Sequence, residues 1–407
     1  MPPSHLVHRR VTTYRLTRHD ISLLSAEKGH MRMQRLARVV VVGGGVLGMT
    51  HAAAARQRGY QVVHLEREPG SRGATVRNFG LLWVSGREPG PELALALRAR
   101  ELWALLAGRV PDTGFRAHGS LTLAADDAEA GLLCEAAALP DAADRGYQLL
   151  DAAAVRRVNP ALKGEFTCGL LGRQDAIVEP RQVPNAIRDY LLAGATSGAY
   201  TWLPGREAVE IAPGAVRDHT GAWHRGDLVV LCTGAAHTGI AGHHLAGYAR
   251  PPLRRVRLQM LQTEPLDRRL TTSVADGDTL RYYPAYDLPG RGRLAPQDPA
   301  AAAAAAQLLL VQRLDGSLTI GDTHAYDEPF AFDVDEAPYD RLRTRAEHLL
   351  GTLLPPTRRR WAGIYSQVTG SEIYHRSQVA ADVILVTGPG GRGMTLAPAI
   401  AEQTFAA

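Results

Sequence analysis

Residues 38–48 read RVVVVGGGVLG. Four valines without a polar break describe a strand buried on both faces, as in the interior of a parallel sheet. Residues 49–58 are alanine-rich and helix-favouring, and Gly59 stands where a helix ends. Residues 61–65 (QVVHL) form a second apolar strand that closes on Glu66, 23 positions after Gly43. In such a β–α–β unit Gly43 permits the tight turn, Gly45 lets backbone N–H groups approach a pyrophosphate, and Gly48 lets helix and strand pack closely. The helix N-terminus presents free N–H groups and a partial positive charge to that anion, and Val46 is among the residues expected to hold it. Glu66, with Arg67 beside it, stands where a carboxylate reaches ribose hydroxyls. Dinucleotide binding is therefore the first expectation.

Length and charge bound the rest. A chain of 407 residues is long enough for two domains. With 45% hydrophobic and 21% charged residues it has ordinary globular composition. No apolar run approaches the roughly 20 residues of a spanning helix, so no membrane is expected. Cys134, Cys168 and Cys232 are too few and too scattered for a disulfide framework or a zinc site, which points to a reducing cytoplasm. The net charge of +5 comes from residues 1–38, which carry +6, and the remainder carries −1. The body thus gives no reason to expect nucleic acid. Residues 1–35 lack the apolar stretch of a secretory signal and read as a basic extension ahead of a start at Met31 or Met33. Only Lys28 and Lys163 are lysines, so arginine here is no sign in itself of phosphate binding.

Further along, helices are expected over 89–107, 128–139, 151–158, 184–195 and 339–350, and strands over 120–124, 168–171, 227–232 and 383–387. An antiparallel sheet is expected from 258–263, 280–286, 308–312 and 317–321. The alanine run 300–306 reads as an exposed insertion.

Three segments favour FAD over NAD. Residues 73–80 (GATVRNFG), holding Thr75, Arg77, Asn78 and Gly80, follow Glu66 where flavoproteins carry a small-residue loop under the pyrophosphate and ring. Residues 228–234 (LVVLCTG) look like the second FAD-domain strand, ending in Thr233 and Gly234. Residues 383–393 (VILVTGPGGRG), with Gly390, Gly391 and Gly393 leading into Met394 and Thr395, resemble the strand and loop that close over a flavin.

From residue 36 onward the chain resembles the D-amino-acid oxidase superfamily, in its glycine/sarcosine oxidase-like branch. The turn 175–181 (DAIVEPR) carries part of that likeness. Within the branch it is most similar to FAD-dependent oxidoreductases associated with aminophosphonates, through 74–80, 259–265, 276–283, 321–329 and 387–398. The resemblance implies an α/β protein in which a Rossmann-type FAD-binding domain (36–90, 177–245 and 358–407) is interleaved with an antiparallel-sheet substrate domain (91–176 and 246–357). It implies removal of a hydride from an amine-bearing carbon, with 2-aminoethylphosphonate or an N-alkyl relative as substrate. The products would be phosphonoacetaldehyde, an amine or ammonia, and hydrogen peroxide where O2 is the acceptor. The partners are then a small zwitterionic amine and O2 or another electron acceptor, in a monomer or small homo-oligomer.

Because the cofactor performs the redox step, no nucleophile–base pair is required. A phosphonate suits Arg, Tyr and backbone N–H donors, which makes Arg77, Asn78, Arg281, Tyr283 and Arg392 the candidate substrate-facing residues. On a strand, Arg281 and Tyr283 would share one face. Arg360, Trp361, Tyr365, His237, His324 and His375 are secondary candidates. The helix after residue 393 would aim its positive end at the flavin ring. The chain also departs from sarcosine oxidases. No cysteine follows Cys232, so the FAD is expected to be noncovalent; a ring-side lysine is missing; and residues 389–392 replace the His-x-x-x-Gly form of the last loop. The competing readings are a glycine, sarcosine or D-amino-acid oxidase, an NAD(P)-dependent dehydrogenase, and a flavoprotein that modifies RNA.

Overall fold

The computed structural model describes residues 38–194, 198–250 and 252–406. The basic extension expected over 1–35, and its alternative starts, lie outside the described residues.

Strand β1 (Arg38–Val42) leads into helix α1 (Val46–Gln57) and strand β2 (Gln61–Glu66). β1 lies in the middle of a six-stranded sheet. Its order is His375–Ala380, Val383–Thr387, Leu228–Leu231, β1, β2, Tyr200–Pro204. All neighbours pair in parallel except the antiparallel edge strand His375–Ala380. β1 is flanked on both sides, with Val40 opposite Val229 and Val63, and Val39, Val40 and Val41 are fully buried. That explains the unbroken valine run. The two later apolar strands expected to join it sit on one side of it, in that order.

A second, eight-stranded sheet is almost wholly antiparallel. Its longest pair is Leu253–Pro265 with Thr357–Val368, in register from Leu253–Val368 to Gln262–Arg359 with a one-residue shift before Thr263–Thr357. Helix Glu336–Leu350 covers it, burying Tyr339, Leu342, Ala346 and Leu349 against Leu261, Leu318 and Ile320.

Two stretches lie across the boundary expected for them. Thr357–Val368, placed from sequence in the nucleotide half, is an edge of the antiparallel sheet. Helix Pro91–Ala107, placed in the substrate half, packs with α1 and helix Gly393–Thr404 in the core under the parallel sheet. Its Trp103 is fully buried and donates Nε1–H to the Met394 carbonyl at 2.9 Å.

The segment 280–286 is not a strand. Thr279–Tyr282 is a short helix and Pro284–Tyr286 a 3-10 turn. Asp276 fixes the turn before them: its Oδ1 accepts the Asp278 N–H at 3.1 Å, and its carboxylate pairs with Arg345 at 2.7 Å. Pro284 then denies the donor a ladder would need. The alanine run is likewise not a bare insertion, since Pro299–Ala303 is a helix capped by Asp298 with Ala301 fully buried.

The turn 175–181 ties the antiparallel sheet to the segment 81–85, whose Leu81 and Leu82 pair with Ile177 and Ala176. Asp175, fully buried, accepts hydrogen bonds from Val84 N, Ser85 N, Ser85 Oγ and Ser120 Oγ at 2.5–3.0 Å. Glu179 pairs with Arg116 at 3.0 Å and Arg313 at 3.6 Å.

Two buried histidines hold the glycine turn and its helix. His64 Nε2–H donates to the Gly43 carbonyl at 2.9 Å and its Nδ1 meets the Tyr200 hydroxyl at 3.1 Å. His51 on α1 bonds Leu47 and Thr404. Burial lowers both to about 4. Below the unfolded value near 6.5 the unfolded chain takes up protons that the folded chain refuses. Each histidine therefore costs about 1.4 kcal/mol of stability per pH unit between about 6.5 and 4. Thermal unfolding followed from pH 7 to 4.5 should fall less steeply for His64→Gln than for wild type, by about one proton's slope. Parallel curves would refute this assignment.

Candidate active site

One cleft of about 1280 Å³ runs from the β1–α1 turn to the antiparallel sheet. At its first end Gly43 has φ +108°, and a Cβ there would lie 2.3 Å from the Cys232 carbonyl. A Cβ on Gly48 would lie 1.8 Å from the Gly43 carbonyl. At Gly45 it would press on Thr75 Oγ1 at 3.1 Å, the atom that accepts the Val46 N–H at 2.9 Å. Glu66 Oε2 accepts the Gly44 N–H at 2.5 Å and Oε1 accepts the Glu68 N–H at 2.9 Å, which fixes the carboxylate at the cleft wall. Arg67 is exposed at the rim. Thr233 Oγ1 is buried in this wall without a partner. The carbonyl of Gly234 accepts from Thr387 Oγ1 at 2.9 Å, joining two strand ends under the cleft.

Residues 74–80 shape the middle. Asn78 donates to the carbonyls of Ala74 and Thr75 and accepts the Gly80 N–H at 2.5 Å. All its polar atoms serve the loop, so it forms the wall rather than reaching across the cleft. Arg77 is exposed and donates to the Ala362 carbonyl at 3.0 Å, and Trp361 donates back to the Arg77 carbonyl at 3.1 Å. Gly390, Gly391, Gly393, Met394 and Thr395 line the far wall, where helix Gly393–Thr404 begins. Thr395 Oγ1 accepts the Trp83 N–H at 3.0 Å. The helix starts at Gly393, and its positive end faces the cleft.

The second end is aromatic. The Tyr283 ring lies 4.4 Å from Trp83 and 4.9 Å from Tyr282. Tyr282 stacks on His324 at 4.4 Å, and Tyr326 lies parallel to that imidazole at 6.3 Å. Burial pushes the Tyr282, Tyr283 and Tyr365 hydroxyls up from their usual value. Tyr365 Oη has no hydrogen bond of ordinary geometry, the Tyr282 phenol being its neighbour. Gln307 Nε2 bridges the Tyr283 hydroxyl and Asp322 Oδ1, each at 3.1 Å. Asp322 is pushed up by burial, with His324 opposing.

Of the candidates named from sequence, Tyr283 lies in this end by virtue of the short helix rather than a strand face. Arg281 also lines the cleft, but its guanidinium bonds the carbonyls of Gly277 and Ala295 and lies 3.6 Å from both Glu129 and Asp278. Arg392 pairs with Glu92 at 2.9 Å. Of the three histidines only His324 lines the cleft; His237 pairs with Ser366 and His375 with Ser377. Sequence reading missed Trp83, Arg87, Glu92, Gln307 and Asp322. Arg87 and Glu92 flank Pro89-Gly90-Pro91 at the start of the helix expected over 89–107, and both are buried.

A parallel nucleotide sheet joined to an antiparallel sheet across one cleft defines a dinucleotide-dependent oxidoreductase fold. The sequence model of the FAD dependent oxidoreductase (DAO) family matches residues 38–407, and the chain belongs to that family. It is 31% identical over 246 residues to a protein of Rhizobium etli described as a thiamine biosynthesis oxidoreductase, ThiO, covering 58% of this chain and 63% of that one. It is 42% identical over 84 residues to a D-amino-acid oxidase of Streptomyces coelicolor, covering 20% and 26%. The chain thus matches less than two thirds of the length of either curated relative. Glycine oxidase from Geobacillus kaustophilus has the same fold, with a TM-score of 0.70 at 20% identity over 91% of this chain and 94% of that one.

The residues present fit FAD. The glycine turn leaves no room for a Cβ at 43 or 48, an acid stands at the end of β2, and the orphaned Thr233 hydroxyl faces the cleft. Gly48→Val should therefore be recovered without flavin, where wild type is yellow. Absorbance at the flavin band per polypeptide is the measurement, and full retention of flavin would contradict the turn's role.

Proposed function

We propose that the protein oxidises the amine-bearing carbon of a small zwitterion, an aminophosphonate such as 2-aminoethylphosphonate or its N-alkyl derivative. The observation that carries this reading is charge of both signs at the aromatic end of the cleft: Gln307 links the Tyr283 hydroxyl to the Asp322 carboxylate, and the Arg87 guanidinium carbon lies 5.7 Å from the centre of the Tyr283 ring. Bound FAD supplies the two-electron acceptor for the hydride that leaves the carbon. Gly43, Gly45, Gly48, Glu66, Thr75, Thr233 and the loop through Gly390, Gly391 and Gly393 hold it. The helix behind that loop favours negative charge developing on the side it faces.

The chain's own residues handle the amine. Asp322 is 5% exposed, and one carboxylate oxygen is already bound by Gln307. Its Oδ2, 3.8 Å from His324 Nε2, takes the proton that the substrate ammonium gives up, since only a neutral amine can release hydride from its carbon. Burial raises this carboxyl, which brings it nearer the basicity the transfer needs. Trp83, Tyr282 and Tyr283 exclude water until the substrate imine forms. Water then hydrolyses the imine to phosphonoacetaldehyde and ammonia or an amine, and electrons pass on to O2, giving hydrogen peroxide, or to another acceptor. Among the described residues Lys163 is exposed and away from the cleft, so no lysine supports oxygen chemistry there.

The flavin is held without a covalent bond in this reading. Cys134 is exposed away from the cleft, and burial pushes the Cys232 thiol up, leaving no reactive thiolate beside the cofactor. Acid precipitation should leave a colourless pellet and a yellow supernatant; a yellow pellet would contradict it. Unpaired cysteines also support a reducing, cytoplasmic setting, and no helix among the described residues is long and apolar enough to cross a membrane.

Anaerobic flavin absorbance decides the substrate. Bleaching is expected with 2-aminoethylphosphonate or its N-methyl form and not with glycine or sarcosine. The reverse pattern would make the protein an ordinary amino-acid oxidase. Admitting air then identifies the acceptor. Asp322→Asn should slow bleaching at least tenfold at neutral pH, with partial recovery at high pH where free amine accumulates.

A further inference from the structure

Arg87, Glu92 and Arg392 form a charge triad in the cleft wall. Arg87 Nε–H donates to the Trp83 carbonyl at 2.8 Å, and Nη1 lies 3.4 Å from Glu92 Oε1. Glu92 Oε2 accepts from Arg392 Nη1 at 2.9 Å, while Arg392 Nε–H donates to the Pro389 carbonyl at 3.0 Å. The side chains of Arg87 and Glu92 are 5% and 4% exposed, and that of Arg392 is 19% exposed. One carboxylate thus holds two guanidinium groups from opposite ends of the sequence and leaves one positive charge over. The Arg87 guanidinium carbon is 5.7 Å from the Tyr283 ring centre, and the Trp83 ring touches the same tyrosine. Trp83 Nε1 is buried with no partner. Neither Arg87 Nη2 nor Arg392 Nη2 has a hydrogen bond to a described residue. A buried surplus cation and three unused donor groups, all in one cleft, call for an anion with several acceptor oxygens.

We propose that Arg87, Arg392 and Trp83 bind the anionic group of the substrate, with Glu92 as the spacer that positions both guanidiniums. The donor geometry selects a three-oxygen anion over a carboxylate. A carboxylate is best held by two parallel bonds from one guanidinium fork. Here Nε and Nη1 of each arginine are already engaged by a backbone carbonyl and Glu92, so each offers its Nη2 group, with two N–H donors. Three donor groups on three side chains, five N–H in all with the Trp83 indole, suit a phosphonate, whose three oxygens accept more hydrogen bonds than the two of a carboxylate. Glu92 has a second effect: it removes one unit of charge, so the pocket holds its anion less tightly than two free arginines would. That favours release of product, which keeps the phosphonate.

This assignment rests on the amine-oxidation reading for the identity of the substrate but not for the site itself, and the test separates the two. Methylphosphonate and acetate, which carry the anion and no amine, are titrated into the flavin-loaded protein while the flavin band is followed. Methylphosphonate should bind at least tenfold more tightly than acetate. Arg87→Met should weaken methylphosphonate at least tenfold with flavin content unchanged, and Glu92→Gln should tighten it severalfold. Equal binding of the two anions, or binding unmoved by both substitutions, overturns the proposal. Should Arg87→Met fail to fold, the wild-type comparison and Glu92→Gln decide. Phosphonate binding governed by Arg87 without bleaching by any amine would keep this pocket and remove the amine reading. Bleaching by an aminophosphonate with unchanged binding in Arg87→Met would do the opposite.

Discussion

The cleft hangs on the contact between the Gly43 carbonyl and the α-carbon of Gly48. A Cβ at Gly48 would sit 1.8 Å from that oxygen, so α1 can start where it does only if the residue there has none. The same carbonyl accepts from His64, and the Gly43 N–H donates to Leu65 at 2.8 Å. Thr75 and Glu66 then complete the turn through Val46 N–H and Gly44 N–H. Every group at the nucleotide end is therefore placed relative to one backbone oxygen. Its histidine partner stays neutral because it is buried, and a neutral imidazole can give one proton to Gly43 while facing the Tyr200 hydroxyl with its other nitrogen.

The chemistry depends on a second join. The aromatic end is built from four separate stretches, which supply Trp83, Tyr283, Asp322 and Tyr365, and these would not keep register without ties between the 81–85 segment and the antiparallel sheet. Asp175 supplies one tie through four donors, and the Glu179 pairs with Arg116 and Arg313 supply another. Both involve buried charge, which is costly unless fully bonded. The carboxylates are bonded on several sides, so the cost is met and the relative placement of the walls is specific.

The glycine turn, the acid after β2 and the three flavin-associated segments were legible because their signals are local. A glycine needed at a fixed offset, or an unbroken apolar strand, declares itself in a few residues. What sequence hid was non-local. Thr357–Val368 carries three arginines in a row, which obscures any alternation; its strand character comes from pairing with Leu253–Pro265, and Arg358 reaches Glu264 and Asp315 across the sheet edge. The apparent strand through Tyr283 was overruled by a turn pinned on Asp276. Arg281, taken from sequence as a substrate-facing cation, is occupied by carbonyls fourteen and four residues away. Buried Arg87 and Glu92 could not be told from solvated charges at a helix start, because Arg392, the second partner of Glu92, lies three hundred residues on.

The strand order of the parallel sheet has a consequence for the growing chain. β1 is central, yet its neighbour Leu228–Leu231 is made almost two hundred residues later, and Val383–Thr387 later still. A nascent chain can close β1 against β2 early, but the strand that covers its other edge emerges only after three of the eight strands of the antiparallel sheet. Until then β1 presents an unpaired, apolar edge of the kind that recruits wrong partners. The glycine loop that completes the cleft follows the last of these strands. Synthesis of this protein thus carries a long window in which its nucleotide site is half-walled and the valine strand β1 is open on one edge.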